Sequence, residues 1–211
     1  MPLAPLYVIL DAEVAHRAGW SLVDLASACL SGGARLFQIR AKRESSARLL
    51  EIARSISDLA HRESAIVIVN DRGDVARLSG ADGVHVGQDD LPATAVRLLV
   101  GDKAVVGLST HTREQLDRAV LQPVTYVACG PVFETRTKAT GYEPAGLEMV
   151  RQAAAISSGR ALPLVAIGGV TLETAADVIA AGAASVAVIS DLLSTGAPEA
   201  RVREYMRRLE R

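Results

Sequence analysis

Two aspartates, Asp71 in "VNDRGD" and Asp90 in "GVHVGQDDLP", each follow a short β-branched run, and the cations Arg40, Lys42 and Lys138 hold similar places in "QIRAK" and "FETRTK". Carboxylates and cations brought to one surface describe a site for an anion together with a metal ion. Without a metal, the carboxylates would repel the anion: at about 4 Å and an effective dielectric of about 20, each like-charge pair costs about 4 kcal/mol. Mg²⁺ removes that cost, because it is typically held by one or two carboxylates plus the phosphate oxygens of a ligand. Each acid alone has a plainer reading, Asp90 as a cap for the helical run "LPATAV" and Asp71 as a turn residue. The pair favours a metal.

A second chemistry is suggested by "AIGGVTLETAADV", where Gly168 and Gly169 form a tight turn directly before a helix. Backbone N–H groups there can approach an anion at the positive end of the helix. Ile189 and Ser190 end another apolar run before the last helical segment, and glycine turns and helix starts after the last two strands form a recurrent phosphate site in barrels. Thr135, Thr137 and Lys138 lie in residues 131–145, a stretch without clear period. Structureless loops of that length are commonly functional.

The elements that must position these residues are legible as eight β-branched runs, at 6–10, 36–40, 65–70, 83–87, 104–109, 125–130, 162–169 and 184–190, each followed by a turn and then a helix-period segment. Strict alternation implies a parallel sheet, and this number of units in 211 residues predicts a single (β/α)8 TIM barrel spanning 1–211. The competing open, doubly wound sheet would carry a G-x-G-x-x-G after its first strand in its nucleotide-binding form, where this chain has "DAEVAHRAGW". In a barrel the loops after the strands converge on one rim, and Gln38, Arg40, Lys42, Asn70, Asp71, Gln88, Asp90, Ser109, His111, Thr135, Gly168, Gly169 and Ser190 all fall there. Side chains alternate along a strand, so if Phe37 and Ile39 face the helices, Gln38 and Arg40 point into the barrel mouth. His85 lies inside its strand and reads as a packed or hydrogen-bonded barrel residue. His111, at the rim, could move protons. Phe133 or Tyr142 could cover an aromatic ring at the mouth.

Composition narrows the partners. Twenty-three basic residues against 24 acidic ones leave no excess charge to attract nucleic acid or an anionic membrane, so small molecules are expected. Cys29 and Cys129 are far apart in sequence and outside any C-x-x-C, as expected of reduced, buried thiols. No apolar run is long enough to span a membrane and the first residues do not resemble a signal peptide. These features predict a cytoplasmic protein; a homo-oligomer is compatible with them.

The segments "QIRAK" (38–42), "VNDR" (69–72), "GVHVGQDDLP" (83–92), "GLSTHT" (107–112), "GPVFETRTK" (130–138) and "AIGGV" (166–170) together resemble the thiamine phosphate synthase family, in order and over nearly the whole chain. The resemblance implies a transferase joining hydroxymethylpyrimidine diphosphate to hydroxyethylthiazole phosphate with release of diphosphate. Gln38, Arg40, Lys42 and Asn70 would hold the pyrimidine diphosphate, Ser109 would sit beside the pyrimidine, and Lys138 would bind diphosphate. Asp71 and Asp90 would bind Mg²⁺. Thr135 and Thr137, with the backbone of Gly168, Gly169, Ile189 and Ser190, would take the thiazole phosphate. The implied mechanism is dissociative, so Lys42, Ser109 and Lys138 would serve the reacting groups without a strong general base, and residues 131–145 could act as a lid. Arg72 stands where a second acid is common in the family and could add a diphosphate contact. Glu134 and "GLEM" also resemble the related thiazole tautomerases, in which a histidine placed like His111 transfers protons; those relatives generally lack the Gln of Q-x-R-x-K and the acid of G-Q-x-D, both present here. A non-catalytic thiazole or thiamine phosphate sensor would have no need of the paired acids.

Overall fold

The computed structural model describes residues 3–135 and 141–209. Eight parallel strands close into a barrel in sequence order: β1 (Leu6–Asp11), β2 (Leu36–Arg40), β3 (Ile66–Asn70), β4 (Gly83–Val86), β5 (Val105–Thr110), β6 (Tyr126–Cys129), β7 (Leu164–Ile167) and β8 (Ser185–Val188), with β8 pairing back onto β1. Nine helices among the described residues surround it: α1 (Ala12–Arg17), α2 (Leu22–Ser31), α3 (Ser46–Arg62), α4 (Gly73–Ser79), α5 (Ala93–Val100), α6 (Arg113–Ala119), α7 (Gly146–Ser158), α8 (Leu172–Ala180) and α9 (Pro198–Leu209). The expected (β/α)8 barrel is therefore the fold. Two elements depart from the sequence reading. The chain after β1 forms the short helix α1, and that after β8 forms a 3₁₀ turn over Ser190–Leu193.

Strand alternation divides the core. Leu6, Val8 and Leu10 of β1, Phe37 and Ile39 of β2, and Val84 and Val86 of β4 pack outward against the helices, while Tyr7, Ile9, Leu36, Ile68, Val105, Tyr126, Val165 and Ala187 fill the barrel. Gln38 and Arg40 consequently share the inward side with Leu36, as the alternation predicts.

The helices form on ordinary local signals. Ser45 caps α3, its hydroxyl accepting the Arg48 N–H at 3.2 Å, and Leu49, Ile52, Ala53, Ile56 and Ala60 recur at helical spacing to bury one face. Each Leu or Ile so buried contributes about 1.5–3 kcal/mol. Asp11 ends β1 and caps α1, accepting the N–H groups of Glu13 and Val14 at 3.1 Å each. Burial pushes the Cys29 and Cys129 thiols up to about 12, so both stay protonated apolar groups. No helix among the described residues is long and apolar enough to cross a membrane.

Candidate active site

The rim above β2, β3 and β4 is built from charges that compensate one another. Lys42, just beyond β2, places Nζ 2.9 Å from Asp71 Oδ2. Asp71 has φ +63°, a left-handed conformation uncommon outside glycine, and its N–H donates to the His85 carbonyl at 2.8 Å. A turn held in this conformation is often part of a functional site. Burial pushes the Asp71 carboxyl above its ordinary range, Lys42 pulls it down, and the neighbouring Asp90 carboxylate pushes it up again. The two acids thus meet, as their spacing predicts.

Asp90 is not a helix cap. The first residue flanking α5 is Pro92, which offers no side-chain cap, and Asp90 Oδ2 instead accepts the Gly87 N–H at 2.8 Å across its own turn. Asp89 is exposed. Among the described residues no group of three or more His, Cys, Asp or Glu side chains could hold a metal by itself. Two touching carboxylates on an open rim nonetheless fit Mg²⁺, which usually takes one or two protein carboxylates and fills its octahedron with phosphate oxygens and water.

Two cations expected to meet an anion are already engaged. Arg40 is ion-paired with Asp11, which is 3% exposed, so its guanidinium is tied to β1. Arg72 grips Asp74 with two hydrogen bonds, Nε to Oδ1 at 2.9 Å and Nη2 to Oδ2 at 2.6 Å, and donates to Ser46 Oγ at 3.1 Å. Asn70 ends β3 beside these groups, its carbonyl accepting the Arg72 N–H at 2.8 Å. Lys138 and Thr137 lie outside the described residues.

A polar chain crosses the apolar barrel beneath the rim. Gln38 Nε2 donates to Tyr7 Oη at 2.9 Å, Tyr7 and Tyr126 hydroxyls meet at 3.0 Å, Tyr126 bonds His85 Nδ1 at 2.8 Å, and His85 Nε2 bonds Ser109 Oγ at 2.7 Å. A β-carbon at Gly107 would overlap the Tyr126 ring and lie 2.5 Å from His85 Nδ1, so glycine there makes the room. Gln38 is 5% exposed and sits at the floor of the mouth rather than on its open face. The chain locks the rings, fixes the direction of Ser109, and makes His85 the hydrogen-bonded barrel residue the sequence suggests. Gln88 Nε2 adds a bond to the Ser109 carbonyl at 2.6 Å.

Among the described residues, the pocket on the opposite half of the rim has no Asp, Glu, Lys or Arg in its lining. It is lined by Ser109, His111, Thr135, Gly168, Gly169, Ile189 and Ser190, among others. Gly168 and Gly169 take φ +101° and +66°, and the end of β7 carries the segment after β6: Val132 donates to the Ile167 carbonyl at 3.0 Å and Phe133 to that of Gly168 at 2.9 Å. A β-carbon on Gly168 would come 2.6 Å from Pro131 Cα, and one on Gly169 would strike the Glu134 carbonyl. The glycines are therefore required by the packing of residues 131–134 as well as by any approach of a ligand to the backbone. Thr171 and Thr174 form a capping box at the start of α8. His111 Nδ1 bonds the Gly130 carbonyl at 2.6 Å, and its ring stacks on that of Tyr142 with the centroids 4.4 Å apart. Thr112 caps α6, its hydroxyl accepting the Gln115 N–H at 3.3 Å. The base of the 131–145 segment is closed by Ala145 donating to Pro131 at 3.0 Å and Gly146 to Val132 at 2.9 Å; residues 136–140 lie outside the described residues.

Several participants were not singled out from sequence. Tyr7 and Tyr126 sit in runs that read as ordinary apolar strands, and only their inward parity hints at a buried polar chain. Asp11 had a signal, an acid directly before a helical run, but α1 is too short to stand out by period. Asp191, described below, follows Ser190 and looks like part of the last turn.

A closed parallel barrel with its polar side chains and glycine turns gathered at the carboxyl ends of the strands has the architecture of the (β/α)8-barrel enzymes. A family model described as thiamine monophosphate synthase matches residues 6–192. The thiamine-phosphate synthase of Methanospirillum hungatei JF-1 is 41% identical over 174 residues, covering 82% of this chain and 82% of the relative, and that of Caldicellulosiruptor saccharolyticus is 40% identical over 161 residues, covering 76% and 72%. The solved thiamine phosphate pyrophosphorylase from Pyrococcus furiosus superposes with a TM-score of 0.87 at 28% identity, covering 97% of this chain and 95% of its own. The chain belongs to the thiamine monophosphate synthase family.

Proposed function

We propose that this chain is a thiamine-phosphate synthase, a transferase of thiamine biosynthesis that joins 4-amino-2-methyl-5-hydroxymethylpyrimidine diphosphate to 4-methyl-5-hydroxyethylthiazole phosphate. Family membership supports the reaction, and one observation carries the assignment of sites: the contact of Asp71, Asp90 and Lys42 on one half of the rim, facing a glycine-turn pocket whose described lining holds no Asp, Glu, Lys or Arg on the other. A diphosphate suits the first half and a monophosphate the second.

Bound between Asp71 and Asp90, Mg²⁺ would neutralise charge on the diphosphate leaving group. Lys42 adds a positive charge to that group, and so does Lys138, assigned on the match of its motif. Gln38, Asn70 and Ser109 orient the pyrimidine, Gln38 and Ser109 being held at the two ends of the buried chain. The bond between the pyrimidine methylene carbon and the diphosphate oxygen breaks with its electron pair leaving on diphosphate. The thiazole nitrogen then donates its lone pair to the carbon. No proton has to be abstracted from the nucleophile, which agrees with a rim that offers leaving-group stabilisation instead of a base. Thr135, Thr137 and the backbone of Gly168, Gly169, Ile189 and Ser190 hold the thiazole phosphate so that its nitrogen faces the methylene carbon, and the 131–145 segment excludes water. The free, buried cysteines support a cytoplasmic location.

Purified protein supplied with both substrates and Mg²⁺ is expected to form thiamine phosphate and diphosphate in equal amounts. A second reading rests on His111, whose ring lines the glycine-turn pocket. If the protein only exchanges protons on a carboxythiazole phosphate and loses this activity in His111→Ala, the chain is a tautomerase; binding of thiazole phosphate with no turnover of either kind would make it a sensor.

A further inference from the structure

Behind the glycine-turn pocket lies a buried cluster that the proposed reaction leaves unused. Asp191 follows Ser190 directly, and its carboxylate accepts the Leu172 N–H at 3.2 Å, Arg201 Nε at 3.1 Å, Arg201 Nη2 at 2.9 Å and the Tyr205 hydroxyl at 2.6 Å. One carboxylate thus joins the start of α8, the 3₁₀ turn after β8, and α9. Arg201 is 9% exposed; it also pairs with Glu204 at 3.1 Å and Glu173 at 3.8 Å, and its guanidinium lies 5.8 Å from the centre of the Tyr205 ring. Burial and the Asp191 charge push the Tyr205 hydroxyl far above its ordinary range, which keeps it a donor.

We propose that Arg201 and Asp191 are positioning residues for the phosphate pocket: the Asp191 side chain, bonded to the Leu172 N–H, registers the β7 and β8 turns against each other, and Arg201 cancels a carboxylate charge that would otherwise repel a phosphate at Ser190. The proposal rests on the reading of this pocket as a phosphate site. The pair's geometry favours arginine, since its planar fork meets one carboxylate with two nitrogens where lysine offers a single point charge. Removing one member of a buried pair leaves the other charge uncompensated, which is more damaging than removing both. Loss of Arg201 should therefore harm phosphate binding through Asp191, and loss of both charges should restore much of it.

The test titrates inorganic phosphate into full-length protein and follows the backbone amides of Gly168, Gly169 and Ser190 by NMR, with inorganic diphosphate and Mg²⁺ followed at Lys42 and Asn70 as the internal reference. Arg201→Met should weaken phosphate about tenfold or more, the Asp191→Asn/Arg201→Met double variant should return to within about threefold of the unaltered protein, and diphosphate should change less than about twofold throughout. Arg201→Lys should lie between, and it carries the comparison if Arg201→Met does not fold. Equal loss of both anions, unchanged phosphate affinity in the single variants, or a double variant no better than Arg201→Met would overturn the proposal, as would an absence of phosphate shifts at these amides in the unaltered protein. Because the readout is binding, a failure here is separate from a failure to form thiamine phosphate.

Discussion

The two halves of the rim, each proposed above to hold a phosphorylated ligand, are built by opposite means. Above β2 to β4 the chain uses charged side chains in mutual contact, Lys42 with Asp71, Asp71 with Asp90, and Arg40 with Asp11. Above β7 and β8 it uses glycine backbone at positive φ and keeps its charges in a buried cluster behind the turns. The difference matches the ligands proposed for each half. A diphosphate that departs needs countercharge that can follow developing negative charge, whereas a monophosphate that only anchors its substrate needs a rigid cradle. Rigidity at the second half comes from packing, since the glycine turn supports residues 131–134 directly.

The comparison can be broken from either side. The largest effect is expected at the charged half: Asp90→Ala or Asp71→Asn should reduce turnover about 10²–10³-fold, with the KM for thiazole phosphate little altered, as read from steady-state kinetics varying each substrate in turn. Gly169→Val comes next. Its side chain would meet Phe133 Cβ at 2.8 Å as well as the Glu134 carbonyl, so the thiazole phosphate KM should rise about tenfold or more and the displaced loop should also lower kcat; a rise of equal size in the KM of the diphosphate substrate would erase the division of labour. Tyr126→Phe is expected to act more gently, because it removes one hydroxyl from the chain between Gln38 and Ser109 at a net cost of about 1 kcal/mol. That should lower kcat/KM for the pyrimidine substrate a few-fold while leaving the thiazole constants unchanged. The smallest effect is a control on the scaffold. Ser45→Ala removes the cap of α3 and should cost about 1 kcal/mol of stability in denaturant unfolding, with both sets of kinetic constants intact.

The barrel was legible because each β-branched run is followed by a helix-period segment, and the rim residues were legible because strand ends are where polar side chains interrupt apolar runs. Asp71 and Asp90 stood out for that reason, and the structure brings them into contact. What escaped is what lies inside or behind. Tyr7 and Tyr126 are strand-forming aromatics with a polar tip, and a one-dimensional pattern does not distinguish a tyrosine that merely packs from one that bonds across a barrel. Arg40 shows the converse: its spacing in Q-x-R-x-K was clear, but its partner Asp11 lies 29 positions away and is joined to it only by strand register. The role of Gly168 and Gly169 was half legible. A glycine pair before a helix reads as an anion cradle, and only the fold shows the second strand-end segment that lies against it.

The claim that two carboxylates act through a divalent cation is tested most directly by the two-substrate assay in the unaltered protein and in Asp90→Ala, each with Mg²⁺ and with excess chelator. Thiamine phosphate formation that requires Mg²⁺ in the unaltered protein, and that falls to near background in the variant under both conditions, is the predicted result. Turnover that survives the chelator undiminished, or an Asp90→Ala protein as active as the unaltered one, would contradict it.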